Sequence, residues 1–178
     1  IVTGCTNPTA ENYDATAAED DGSCTFPPCI AVIFQGYTYD VVQIGDQCWF
    51  ADNLRSDHYR NGDAIQGYLS TSEWVSTTIG AQTVYAEFGA ASNGSVDAVA
   101  NLATHGRLYN WYAVNDARGL CPTGWHVATD VEWMTLEMAL GMTSSAAFST
   151  NWRGTDQGTQ LKSSPSDSPI WNGSNTSG

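Results

Sequence analysis

The stretch that most constrains this chain is residues 106–133, GRLYNWYAVNDARGLCPTGWHVATDVEW, which gathers three Trp, two Tyr, a Cys and a His. Its end sets a helix start. Thr129 and Glu132 have the spacing of a capping box, in which the hydroxyl accepts an N–H three residues on and the carboxylate reaches back to the Thr129 N–H. Asp130 falls in the first turn, where the helix dipole favours negative charge. Val131, Trp133, Met134, Leu136, Met138 and Leu140 supply an apolar face, and Gly141 is placed to end the helix in a left-handed conformation. An upstream block, residues 43–55 (QIGDQCWFADNLR), has the same grammar of a cysteine followed closely by an aromatic.

Around these blocks the sequence reads as short strands and loops. Residues 30–34 are rich in β-branched side chains, Gly36 marks a turn, and residues 37–44 alternate polar and apolar up to a Gly45-Asp46 turn, which together predict an opening β-hairpin. Residues 48–54 follow as a strand or an irregular buried segment. Residues 58–94, rich in Ser, Thr, Gly, Asn and Ala, read as long surface loops with short strands near 83–88. Residues 108–114 fit strand or helix equally, and Asn110 and Asn115 are unusual within that run. Residues 151–178 are again loop-rich.

The amino terminus is a separate unit. Residues 4–24, GCTNPTAENYDATAAEDDGSC, carry a Cys near each end and little apolar content, so the unit needs a staple in place of a core. A Cys5–Cys24 bridge closes a loop of roughly twenty residues and contributes about 3 kcal/mol in the chain-entropy treatment. Pro27-Pro28 then stiffens a linker. The division predicted is an acidic repeat module over residues 1–24, a linker and first strand over 25–34, and a main domain over 35–178.

Five cysteines are present and none has C-x-x-C spacing, which favours disulfides and an oxidising compartment. Cys48 and Cys121 each precede an aromatic block. Their bridge would close about seventy residues and contribute about 4–5 kcal/mol; two buried thiols are the alternative. Cys29 is then left over, free, bonded to another subunit, or paired outside this sequence.

Charge excludes some partners. Nineteen acidic residues face six basic ones, for a formal net charge of -13. No basic patch replaces phosphate counterions, so nucleic acid is not expected, nor is an anionic membrane surface. No run of about 18 apolar residues is present to insert in a membrane. The acidity suits solubility or a divalent cation. Asn12, Asp14, Asp20 and Asp21 crowd beside Gly22, and Ca²⁺ takes about six to eight oxygens of this kind; a solvated acidic turn is the other reading. Asp52, Asn53, Asp57 and Asp63 form a weaker oxygen cluster. The chain opens at Ile1 without a signal peptide and closes on WNGSNTSG, which reads as a processed or truncated product.

Catalytic signatures are scarce. His58, His105 and His126 have no metal spacing, and there is no nucleophile elbow, P-loop or G-x-G-x-x-G. Trp49, Trp111, Trp125 and Trp133 are assigned to the core. Trp74, Trp152 and Trp171 lie in polar surroundings and are the ligand-binding candidates, because an indole offers a flat face to a sugar ring or peptide. Asn93, Asn172 and Asn175 match N-x-[ST] and are glycosylation candidates, with O-linked glycans on the abundant Ser and Thr an equal reading.

Residues 43–55 and 106–133, with the trailing QLKSSPSDSPIWNGSNTSG, resemble the Fibrobacter succinogenes major paralogous domain, a secreted module frequent in Bacteroidetes and Fibrobacteres. The likeness runs from about residue 35 to 178. Residues 4–24 resemble a short Cys-bounded, Asp-rich repeat found beside such domains in surface-sorted proteins. The PTGWHVATDVEW segment is also similar to the strand-to-helix step of C-type-lectin-like and formylglycine-generating-enzyme folds. These likenesses imply an α+β, loop-rich domain with short antiparallel strands and one main helix over about 130–140, preceded by a small disulfide-closed module. The family pattern continues beyond residue 178 into a Gly-rich strand segment, which implies a C-terminally incomplete domain here. The functional expectation is a secreted, cell-surface structural or adhesive module and not an enzyme. Its expected partners are a glycan or protein ligand and identical or related subunits of an extracellular fibre. A carbohydrate-active or sulfatase-maturation-like enzyme and a calcium-stabilised spacer are the alternatives.

Overall fold

The structure is a computed structural model and describes residues 1–8, 10–26, 28–85, 87 and 98–161. Among these residues it is a mixture of short strand pairs and helices. In the amino-terminal module β1 (Thr3–Gly4) pairs in parallel with β2 (Glu19–Asp20), and Cys5 is bonded to Cys24 with a Cα–Cα distance of 4.7 Å. The expected staple is therefore in place.

Two antiparallel hairpins follow. β3 (Val32–Phe34) pairs with β4 (Tyr37–Tyr39), and β5 (Val41–Ile44) with β6 (Gln47–Phe50). The loop between β3 and β4 is Gln35-Gly36, both at positive φ, a two-residue form whose twist matches that of the strands. The run 37–44, expected as a single strand, is divided at Asp40. Its N–H donates to Asp52 Oδ2 at 2.8 Å and its carbonyl accepts from the Ala51 N–H at 2.8 Å, so the chain is drawn from the first ladder to the second.

The side chains of β6 alternate between faces, and both faces are covered by aromatic rings. Phe50 stacks on Tyr39, with centroids 5.0 Å apart, and tilts against Trp125 at 4.4 Å; Trp49 meets Trp133 at 4.9 Å. Tyr39 is fully buried, and its hydroxyl accepts the Arg55 N–H at 3.0 Å.

The segment expected as surface loop holds α1 (Thr71–Ser76), started by a second capping box formed by Ser70 and Glu73. Beyond it, β7 (Gln82–Thr83) pairs with β8 (Leu108–Tyr109), and α2 (Ala98–His105) lies between them in sequence. The ambiguous run 108–114 is strand and then helix. Asn110 divides it as the N-cap of α3 (Trp111–Val114): its Oδ1 accepts the N–H groups of Ala113 and Ala81, and its Nδ2 donates to the Ile79 carbonyl. Asn115 closes the same helix as its C-cap.

The main helix, α4 (Asp130–Ala139), carries the expected capping box. At its far end Gly141 has φ 93°, its N–H donates to the Met138 carbonyl, and the Met142 N–H donates to the Glu137 carbonyl. That pair of bonds is a Schellman motif, which glycine favours because it has no Cβ to clash. α5 (Ser144–Ala147) and α6 (Gln157–Gln160) complete the described helices. The sequence pattern predicts one main helix; these five shorter ones accompany it.

The core is small. Tyr59, Ile65, Ala113 and Leu120 form its buried centre, with Leu54, Tyr109 and Val114 packed around them. Only Leu136 of α4 is fully buried, while Val131 and Trp133 are 64% and 45% exposed. Trp111, expected in the core, is 68% exposed. It opens α3, and Ala113 is the residue of that helix that reaches the interior.

The second disulfide corrects the expected pairing. Cys29 is bonded to Cys48, with a Cα–Cα distance of 5.5 Å, and Cys121 is the free, half-buried thiol. The bridge ties the linker to β6, and it closes a loop of the same sequence separation, 19, as Cys5–Cys24. Cys29 is therefore not left over for another subunit. Burial holds the Cys121 thiol above its ordinary pKa, which is the opposite of an activated nucleophile.

Candidate functional site

Among the described residues, a candidate surface for a ligand is built on the chain after α4. Thr143 caps α5 by accepting the Ala146 N–H, and Met142, Ala147 and Gln157 are buried beneath the segment. Gln157 Oε1 accepts the Thr155 N–H at 2.9 Å, and Gln160 Nε2 donates to the Leu140 carbonyl at 3.2 Å, which returns α6 to the end of α4. The backbone at Gly154 favours glycine. It has φ 81°, and a Cβ would lie 2.5 Å from Gln157 Oε1 and 2.6 Å from Met142 Cε.

At the tip of this platform Asn151 adopts φ 72°, a left-handed conformation that Asn tolerates better than most residues. Trp152 follows and is 99% exposed. Arg153 turns back toward the helix: its Nε donates to Glu137 Oε2 at 2.9 Å and its Nη1 to the Ser149 carbonyl at 3.0 Å. Glu137, Asn151, Trp152 and Arg153 line an open concavity. A flat apolar ring thus stands beside a paired carboxylate and guanidinium and an amide, which together supply acceptors and donors.

The other expected ligand residues are placed differently. Trp74 lies on α1 and is half-buried. Trp171 and the glycosylation candidates Asn93, Asn172 and Asn175 lie outside the described residues. Trp49 and Trp125 are half-buried, consistent with packing roles.

The oxygens considered for calcium are engaged in local turns. Asn12 Oδ1 accepts the Thr25 N–H, Asp14 Oδ1 the Thr16 N–H and hydroxyl, Asp20 Oδ1 the Gly22 N–H, and Asp21 Oδ1 the Ser23 N–H. Hydrogen bonds from Thr16 hold Asp14 below its ordinary pKa, and those from Ser23 do the same for Asp21. In the weaker cluster, Asp52 pairs with Arg55, Asp57 with His58 and Arg107, and Asp63 with Asn61 and Arg118. Among the described residues no group of three or more His, Cys, Asp or Glu is arranged to hold a metal ion.

Histidine chemistry is local too. His126 Nε2 lies 2.7 Å from Glu132 Oε1, beside the helix cap, and His58 Nδ1 lies 2.6 Å from Asp57 Oδ1.

Glu137 and Arg153 escaped the sequence reading as site residues. The available signal was scarcity: with six basic residues in the chain, an Arg directly after a Trp in a polar loop is worth examining. A second omission is structural. Arg107, with its side chain 10% exposed, donates to the Arg55 carbonyl at 2.9 Å and to Gln82 Oε1 at 2.7 Å, and it faces Asp57 and Glu87. It joins residues 55–57 to β7.

Comparison with known proteins now adds a family. The Fibrobacter succinogenes major domain matches residues 42–178. The chain belongs to that family. The match opens within β5, so this Fibrobacter succinogenes major domain has its first hairpin and its Cys-closed module ahead of the matched region. Cys29–Cys48 is a disulfide cross-link between the two parts. No curated protein and no solved structure matches the chain. The two disulfides accord with an extracellular protein, and among the described residues no helix is long and apolar enough to cross a membrane.

Proposed function

We propose that this chain is a cell-surface binding module, non-enzymatic, which holds a glycan or protein ligand through the loop platform after α4. The observation that carries the reading is Trp152. A side chain as large and apolar as Trp is 99% exposed, yet it stands on a segment fixed by buried Gln157 and Met142 and flanked by an ion pair. Aromatic side chains with a polar tip suit partly wet binding sites, and Trp is enriched among the residues that dominate binding energy. A lectin-like arrangement of the domain and a place in a larger surface assembly belong to the same proposal. A spare Cys29 lends that assembly no support, because the cysteine is bonded within the chain.

The test is depletion of the full chain from solution by insoluble cellulose, by mucin and by immobilised fibronectin, with Trp152→Ala alongside and reducing ends measured in each supernatant. Retention on at least one matrix that falls with Trp152→Ala, without release of reducing ends, is expected. Steady release of reducing ends would assign an enzyme, and absence of retention on every matrix would overturn the binding reading.

A further inference from the structure

Resting on the binding role just proposed for Trp152, we infer that the ligand of this platform is a neutral carbohydrate, a pyranose chain without acidic or amino substituents. Three features of the concavity lead there.

The first is the pairing of its charges. Arg153 Nε is already bonded to Glu137 Oε2 at 2.9 Å, and its Nη1 is held by the Ser149 carbonyl at 3.0 Å. Glu137 already neutralises the guanidinium, so an anionic sugar gains no net charge pairing there unless it displaces the carboxylate. A cationic sugar would have to compete with Arg153 for the carboxylate. Both side chains are about one-fifth exposed, so breaking the pair strands a partly desolvated charge. A neutral hydroxyl needs no such exchange. It donates to Glu137 Oε1 or accepts from a guanidinium N–H while the ion pair stays closed.

The second is the match of donors and acceptors. Neighbouring hydroxyls of a pyranose each donate and accept. A carboxylate that only accepts, beside a guanidinium that only donates, satisfies such a pair, and the Asn151 amide offers one of each. Trp152 then takes the apolar C–H face of the ring by stacking.

The third is the field of the whole chain. A formal net charge of -13 repels a polyanion such as a polyuronate along its whole length. Attraction of a polycation by the same field would be non-specific and would vanish with salt.

The test uses the full chain and isothermal titration calorimetry with sugars matched in length: neutral cello-, xylo- and mannohexaose, anionic hexagalacturonate and cationic hexaglucosamine. Saturable binding of at least one neutral hexasaccharide is expected, with an affinity that changes less than about twofold as ionic strength rises from about 0.05 to about 0.5 M. Trp152→Ala weakens it at least about tenfold, and Trp152→Phe, which keeps an aromatic face, retains it within about fivefold. Trp152 is exposed enough that both variants keep the wild-type far-UV spectrum. Trp152-dependent binding of hexagalacturonate or hexaglucosamine alone, lost at high salt, would overturn the neutral assignment and leave the binding role standing. Retention on immobilised protein that depends on Trp152, with no response to any sugar, would do the same. Neutral binding unaffected by Trp152→Ala would overturn the site itself, and no retention or response from any partner would overturn the binding role.

Discussion

Trp49 of β6 lies against Trp133 of α4, with ring centroids 4.9 Å apart and planes inclined at 47°. This contact fastens the main helix to the second hairpin, and Ala139 close to Gly45 repeats the attachment at the other end of the helix. Trp133 is 45% exposed, so its truncation forfeits less than the loss of a fully buried Trp. Trp133→Ala should destabilise the chain by about 2 kcal/mol, read from urea unfolding. A double-mutant cycle with Trp49→Ala should give a coupling of about 0.5–1.5 kcal/mol; additive effects would mean the rings do not support one another.

The two disulfides can be separated by chemistry. Peptide mapping of the non-reduced protein should return Cys5 linked to Cys24 and Cys29 linked to Cys48, with Cys121 alkylated slowly in the native protein and faster once unfolding exposes it fully. A Cys48–Cys121 peptide would contradict the arrangement described above. Each bridge closes a loop of sequence separation 19, for which the chain-entropy treatment gives about 3 kcal/mol. Cys29→Ser with Cys48→Ser should lower stability by about that amount, and Cys121→Ser should do much less.

What the sequence disclosed was local. Thr129, Glu132 and Gly141 define both ends of α4 through contacts within a few residues, so their spacing alone carried the helix. Asn110 was visible as an anomaly, and the structure explains it as a cap that also binds two loop groups from residues 79–81. The Ser70–Glu73 box was equally legible, but the polar composition around it masked the helix it begins. Pairing among five cysteines was not legible, since both Cys29 and Cys121 are compatible with Cys48 until the hairpin brings the linker to β6. The site was half legible. Trp152 stands out as an aromatic in polar sequence, whereas Glu137 meets Arg153 only because the Schellman turn and α5 fold the chain back on α4.

Glu132 links the capping box to pH. Its Oε2 accepts the Thr129 N–H at 2.7 Å and the Thr129 hydroxyl at 2.8 Å, while Oε1 meets His126. The Thr129 N–H is the main cause that holds its pKa below the ordinary 4.5. A depressed carboxyl contributes stability that is complete above the unfolded pKa and is lost as pH falls through the folded one. Glu132→Gln should therefore cost about 0.5–1 kcal/mol near neutral pH. The difference from wild type should close between pH 4.5 and more acidic values. Thermal melts of both proteins across that range measure it, and a gap that persists unchanged in acid would reject the assignment.

Gly154 offers a way to disturb the platform without touching its ligand face. Its φ of 81° strains any residue with a Cβ, and that Cβ, 2.5 Å from Gln157 Oε1 and 2.6 Å from Met142 Cε, would push the ends of both side chains aside. Gly154→Ala should cost about 1–3 kcal/mol, and it should weaken retention on the preferred matrix because Trp152 and Arg153 precede it directly. Asn151→Gly, which keeps the left-handed backbone, should leave stability within about 0.5 kcal/mol. Equal stability of Gly154→Ala and wild type would mean that the segment 151–155 is not held as described.

Arg107 joins several polar groups of the interior. It is the common partner of the Arg55 carbonyl, Gln82 and Glu87, and the Glu87 side chain is only 9% exposed. Glu87 also accepts from the Thr83 hydroxyl and the Val84 N–H. Arg107 Nη1 lies 3.9 Å from Glu87, so the guanidinium supports that carboxylate by charge and not by a hydrogen bond. Arg107→Met should therefore destabilise by about 2–3 kcal/mol, the cost of leaving the Arg55 carbonyl and Gln82 without a charged hydrogen-bond partner. Arg107→Lys should recover only part of this, because an ammonium cannot reach the carbonyl and the amide in one plane. Combining Arg107→Met with Glu87→Gln should cost less than the sum of the two changes, since the stranded charge is removed with its partner. Urea midpoints of the three variants decide the matter, and strict additivity would show that Arg107 and Glu87 do not support one another.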